Sequence, residues 1–197
     1  MSAIEVHPLD SLPVERWRNG GGVTRTIASD GCHWRISLAE VERDGPYSRF
    51  EGIDRLSCVL RGAGVMLREA NSVVTLKPYE AVEYDGGLEW HATLIDGPVT
   101  ALNVMAARSR YRTSIRAIAE PVSVLPGRAV VVVTLRAGCA WRASEGHASG
   151  TVEAGQFLIA ERLDRAMQLS PVMPALDEPP RTGLPVLVTI EPAYTHE

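Results

Sequence analysis

"CVLRGAGVML" at residues 58–67 and "VTLRAGCAWRA" at residues 133–143 share one plan: an apolar run, a Leu-Arg pair, a small-residue turn and a returning run. A polar gap follows each. Then comes a further pair of runs around a turn, "VTLKPYEAVEYDG" (74–86) in the first half and "GTVEAGQFLIAE" (150–161) in the second. Leu60-Arg61-Gly62 thereby corresponds to Leu135-Arg136-Ala137, and Leu76-Lys77-Pro78-Tyr79-Glu80 to Val152-Glu153-Ala154-Gly155-Gln156. Short runs rich in Val, Ile, Thr and Leu between Gly, Pro and Asp punctuation are strands joined by tight turns. Helical periodicity is nearly absent from the chain.

A strand, a glycine hairpin, a strand, a spacer and a Pro/Gly turn into another strand is the wiring of a cupin-type double-stranded β-helix. Its recurrence predicts an all-β bicupin, two cupin-like repeats packed as one unit. Residues 1–110 form the first repeat and carry a ligand pocket; residues 111–197 form the second, with strands open to exchange between them. Further strands are read at "WRISLAEV" (34–41), "WHATLI" (90–95), "TALNVMAA" (100–107) and "PVLVTIE" (185–191). "SRYRTSIRAIA" (109–119) fits a strand or a helical turn. The valine-rich segment 129–135 would invite aggregation at an open sheet edge, so a covered position is expected.

With 197 residues, 45% of them hydrophobic and 22% charged, the chain can bury a substantial core without covalent staples. A net charge of -4 and the lack of a Lys/Arg tract argue against nucleic acid. No basic amphipathic segment suits a membrane surface, and no apolar run is long enough to span one. Cys32, Cys58 and Cys139 follow no paired spacing, which suits a reducing compartment, and the first residues lack a signal-peptide pattern. The cytoplasm is the expected location.

The histidines, His7, His33, His91, His147 and His196, show no metal-ligand spacing; His91 near Glu89 and His147 near Glu145 each stand alone. No metal and no cofactor are expected. Nucleophilic chemistry has little support, since no Gly-x-Ser-x-Gly elbow occurs and Cys58 lies in an apolar strand. The acidic residues Glu40, Glu42, Asp44 and Asp54 lie close in sequence, and a catalytic reading would need one of them, Asp54 or Glu40, with a raised pKa.

"RWRNGGGVTRTIA" (16–28) sets Gly20-Gly21-Gly22 between arginines. A phosphate loop is excluded because no Gly-Lys-Ser/Thr follows. Two readings stay open: a flexible turn, and a backbone anion site in which glycine N–H groups and nearby cations converge. Arg18, Asn19, Thr24, Arg25, Arg35, Ser37, Asp44, Ser48, Asp54 and Arg55 form the polar constellation around it. In "WRISLAEV", Arg35, Ser37 and Ala39 alternate with Trp34, Ile36 and Leu38, so the polar face lies toward solvent or toward a cavity. In a cavity these groups would suit a small carboxylate, which arginine grips with two parallel hydrogen bonds.

"WRNGGGVTRTIA" (17–28), "WRISLAEVERDGPYSRFEGIDR" (34–55) and "LIDGPVTALNVMAAR" (94–108) resemble the HutD/Ves family, bicupin proteins associated with bacterial histidine utilisation. The second half matches mainly in strand pattern. The resemblance implies a cupin fold without metal chemistry and a pocket for a small metabolite of the N-formylglutamate or urocanate class. It also implies a role in tuning pathway expression instead of catalysing a step. Carried over by position, the pocket draws on Asn19, Thr24, Arg25, Ser37, Ser48, Asp54 and Arg55. On this reading Arg25 is the principal anchor, Asn19 and the backbone of Gly20 and Gly21 orient the ligand, and Arg18 or Arg55 adds a second charge. A metal-independent cupin isomerase or lyase acting on a small carboxylic acid is the alternative, and a homodimer is compatible with either. Arg16-Trp17-Arg18-Asn19 replaces the family's usual Pro-Trp-Lys-Asn, Tyr47 stands where Phe is usual, and no acidic residue precedes Asn103 at Ala101-Leu102.

Overall fold

A computed structural model describes residues 3–144, 148–172 and 183–193. In chain order the first strands are β1 (Glu5–Pro8), β2 (Glu15–Arg16), β3 (Gly22–Asp30), β4 (Trp34–Val41), β5 (Gly45–Pro46), β6 (Ile53–Arg61), β7 (Val65–Glu69), β8 (Ser72–Leu76), β9 (Val82–Asp85) and β10 (His91–Leu94). They continue with β11 (Val99–Ala107), β12 (Tyr111–Ala117), β13 (Val122–Val124), β14 (Ala129–Val133), β15 (Gly138–Ala143), β16 (Ser149–Val152), β17 (Gln156–Ala160), β18 (Met167–Val172) and β19 (Val186–Pro192). One 3-10 turn, Leu9–Ser11, is the helical element among the described residues. The ambiguous segment after residue 109 is therefore strand, β12. The short strands β1 and β13 and the proline-bearing β18 are structural findings; their sequences carry little alternation to announce them.

Contacts divide the chain into one compact unit of residues 12–113 and another of residues 1–11 with 114–197. Residues 1–11 thus fold with the C-terminal half. In the 12–113 unit, a six-stranded sheet runs β2-β3-β4-β11-β6-β9 and a four-stranded sheet runs β5-β10-β7-β8. The other unit contains β1-β17-β14-β19-β12 and β13-β18-β15-β16. The neighbour order β9-β6-β11-β4 recurs as β17-β14-β19-β12, and β5-β10-β7-β8 recurs as β13-β18-β15-β16. The repeated sequence plan is thus a repeated strand order.

Each unit has a core shared by its two sheets. In residues 12–113, Val41, Val59, Val99 and Ala101 of the larger sheet pack with Val65, Leu67, Leu76 and Ala92 of the smaller. Burying a large aliphatic side chain such as Leu67 stabilises the unit by about 1.5–3 kcal/mol. In the other unit Val130, Val132, Leu158 and Leu187 meet Cys139, Val152, Met167 and Leu169. The valine run of β14 lies between β17 and β19, away from any edge.

Strand register in the six-stranded sheet decides where the polar groups go. β11 sits between β4 and β6, with Asn103 opposite Ser37 and Ser57 and Met105 opposite Arg35 and Arg55. Alternation places Val99, Ala101, Asn103 and Met105 on one face. The first two join the apolar core, so the interior turns polar along the length of β11.

Candidate functional site

At that polar end the 12–113 unit holds a cavity of about 510 Å³. Ser37, Ala39, Arg55, Asn103 and Met105 are its buried lining, and Trp17, Thr24, Arg35, Tyr47 and Phe50 are half-buried. Arg16, Arg18, Asn19, Pro46 and Ser48 are exposed and form its mouth. Among the described residues four arginines line the space, and no Asp, Glu or His does.

Arg55 is the most unusual of them. It is 6% exposed, its Nε has no hydrogen-bond partner, and it forms no ion pair among the described residues. Its Cζ lies 5.0 Å from the Tyr47 ring centroid and 5.2 Å from that of Tyr84. The two aromatic faces hold a cation by its attraction to their π clouds but supply no counter-charge. Arg35 likewise lacks a carboxylate; its Nη2 donates to Met105 Sδ at 3.5 Å. Buried charge is ordinarily paired, so an unpaired guanidinium facing a cavity leaves a counter-charge unsupplied by the described residues.

The neutral groups are polarised in the same sense. Trp17 Nε1 donates to Thr24 Oγ1 at 2.8 Å, which uses acceptor capacity on the hydroxyl and leaves its proton free to donate. Ser57 Oγ donates to Asn103 Oδ1 at 2.6 Å, and the Asn103 amide donates to the Ala101 carbonyl at 3.3 Å with one of its two N–H bonds. Tyr84, 3.0 Å from Ser57 Oγ, then donates to that oxygen. The Tyr47 phenol is pushed well above its ordinary pKa, first by burial and then by Tyr84, against the opposing pull of Arg55. It stays a neutral donor.

The glycine run builds the mouth by tight backbone geometry. Gly20 has φ +67°, a conformation that side-chain-bearing residues rarely adopt, and its N–H donates to the Trp17 carbonyl at 3.0 Å. The Gly21 N–H donates to Asn19 Oδ1 at 2.9 Å. A Cβ at Gly22 would lie 2.2 Å from the Glu40 carbonyl oxygen. Because the first two amides are engaged within the turn, the run is not a backbone anion site. Asn19 completes the turn, its Nδ2 donating to the Pro46 carbonyl at 3.0 Å and so tying the two sides of the mouth together.

Of the ten residues expected to bind ligand, Arg18, Asn19, Thr24, Ser37, Ser48 and Arg55 are brought together around the cavity. Gly20, Gly21, Arg25 and Asp54 are not among its lining. Arg25, the expected anchor, pairs in register with Leu38, whereas Thr24 pairs with Ala39; strand alternation therefore turns Arg25 to the opposite face, where it is ion-paired with Glu40. Asp54, next to inward-facing Arg55, is bound by Arg108 at 2.8 Å, and Arg108 also holds Asp85. The Gly87 N–H, and then Arg108, keep the Asp85 carboxyl below its ordinary pKa. Asp44 accepts from the Leu94 N–H at 2.8 Å.

Arg16, Trp17, Tyr47, Phe50, Asn103 and Met105 join the lining without having been expected there, and Arg35 joins it from the wider polar constellation. Asn103, a lone amide inside apolar "TALNVMAA", was the available signal. His7 lies 2.9 Å from Glu5 and His33 3.7 Å from Asp30, both at the surface; His147, Glu145 and His196 lie outside the described residues. Among the described residues no cluster of His, Cys, Asp and Glu could hold a metal ion, and no helix is long and apolar enough to cross a membrane.

A family model described as HutD matches residues 10–173. Protein Ves of Citrobacter koseri is 32% identical over 139 residues, covering 67% of this chain and 73% of that one. An uncharacterised 21.2 kDa protein in the hutC 3' region of Pseudomonas putida is 31% identical over 123 residues, covering 59% and 65%. The solved structure of HutD from Pseudomonas fluorescens SBW25 superimposes with a TM-score of 0.77 at 22% identity, over 96% of this chain and 99% of that one. A cupin 2 conserved barrel protein from Leptotrichia buccalis shares the fold at a TM-score of 0.57 and 10% identity, over 98% and 97%.

Proposed function

Because the chain belongs to the HutD family and has an all-β cupin fold, we propose that it is a small-molecule-binding regulator whose ligand is a carboxylate metabolite of histidine catabolism, of the N-formylglutamate or urocanate class. The observation that carries this reading is Arg55, a buried guanidinium with no counter-charge among the described residues, at a cavity that three further arginines also line. A carboxylate supplies the missing charge and accepts from the surrounding donors. The relative found in the hutC 3' region supports the histidine-utilisation setting.

The metal-independent enzyme reading has less support. An isomerase or lyase of this kind needs a general base within hydrogen-bond reach of its substrate. Glu40 lies on the opposite strand face with Arg25, Asp54 is held by Arg108, and among the described residues no carboxylate and no histidine lines the cavity. Calorimetric titration of the whole protein with N-formylglutamate and with urocanate is the test. Saturable binding of either that is lost in Arg55→Met supports the proposal; turnover of either compound would favour the enzyme, and silence toward both would remove the proposed ligand class.

A further inference from the structure

We infer that the cavity selects carboxylic acids whose α-amino group is absent or acylated and rejects the corresponding free amino acids. This rests on the carboxylate reading above but adds a rule that the reading does not contain. A free amino acid near neutral pH brings an ammonium along with its carboxylate. An ammonium has three donors and no acceptor, so it needs oxygen lone pairs and, away from bulk water, a negative partner.

Among the described residues the cavity offers hydroxyl and amide oxygens but no negative partner. Its charged groups are Arg16, Arg18, Arg35 and Arg55, two at the mouth and two within, so turning the ligand end for end leaves an ammonium beside a guanidinium in either orientation. The carbonyls of Ala101, Pro46 and Trp17 each already accept one hydrogen bond, from Asn103, Asn19 and Gly20. Thr24 Oγ1 already accepts from Trp17. The carboxylates close by in sequence, Glu40 and Asp54, are neutralised by arginines outside the lining. A formyl or acetyl group changes the balance, because an amide carries no charge and its carbonyl oxygen accepts from the donors that would repel an ammonium.

The selected ligand is therefore the product of a reaction that removes an α-amino group as ammonia or leaves it acylated. A protein with this site registers such a product while ignoring the parent amino acid, which carries the same carboxylates.

The test uses pairs of probes that differ in the ammonium alone. Calorimetry on the whole protein compares glutarate with L-glutamate and 3-(imidazol-4-yl)propionate with L-histidine, with N-acetyl-L-glutamate as the acylated probe. The amino acids should bind at least about thirtyfold more weakly than their partners, the scale of a like-charge clash. The acylated probe should recover the affinity. Ser48→Asp, an exposed change at the mouth that supplies the missing counter-charge, should narrow the glutarate-to-glutamate ratio at least about threefold. Equal binding within both pairs would overturn the amino-group rule while leaving the carboxylate site in place. Binding of none of the five probes would overturn the carboxylate reading itself.

Discussion

Replacing Arg55 by Met should make the ligand-free protein more stable and the ligand-binding protein useless. The substitution keeps an unbranched stem between Tyr47 and Tyr84 and removes a guanidinium that is 6% exposed and has no counter-charge. The two rings return about 0.5–2 kcal/mol each in attraction to the cation. Holding a charge away from bulk water without a partner costs several kcal/mol even after relaxation. The difference favours Met by about 1–2 kcal/mol, which raises the melting temperature of a chain this long by roughly 2–8 °C. In the complex the balance reverses, because the ligand carboxylate loses a desolvated partner at a cost of about 2–5 kcal/mol, or about thirtyfold to 4,000-fold in affinity. Thermal unfolding without ligand and calorimetry with N-formylglutamate read the two halves separately. A variant that melts below the parent and binds as tightly would refute the reasoning at both steps.

Arg25→Ala should leave ligand affinity within about twofold of the parent, because the side chain lies across the sheet from the cavity, and its pairing with half-exposed Glu40 limits the stability change to about 1 kcal/mol. Gly22→Ala should destabilise the fold by about 1–3 kcal/mol or more in denaturant titration, since the new Cβ meets the Glu40 carbonyl. A thiol reagent should modify one cysteine in the native protein and three after denaturation, because Cys32 is exposed while Cys58 and Cys139 are buried. Burial pushes both of those thiols up to about 11 from an ordinary 9.0, so the unfolded chain loses these protons first and stability should fall as pH rises through that interval. Replacing both by Ala should flatten that slope.

Much of the fold was legible because a strand declares itself through alternation and a hairpin through glycine. "CVLRGAGVML" and its counterpart became β6–β7 and β14–β15, and their neighbours repeat the same sheet order. The cavity was legible only where one face of a strand differs in kind from the other. "WRISLAEV" passes that test, and Arg35, Ser37 and Ala39 do face inward. "GVTRT" does not: Thr24 and Arg25 are both polar, so composition could not say which faced the interior, and the register with β4 decided it. Tyr47, Phe50 and Trp17 were hidden for a different reason. Aromatic residues in loops and short strands are ordinary core formers, and their place around the cavity depends on chain crossings that no local pattern encodes.

The pairing of β1 with β17 has a consequence for how the chain must be made. Glu5 is synthesised long before its sheet partner Ile159. At ordinary elongation speeds the two are separated by roughly 8–30 seconds of synthesis. Residues 12–113 contain all ten strands of their own two sheets, so that unit can close while β1 is still unpaired. β1 is then made before that unit and paired after it. For that interval it is an unpaired edge-forming strand, which makes Glu5–Pro8 the point at which crowding or a slow translation pause would act on the yield of native protein.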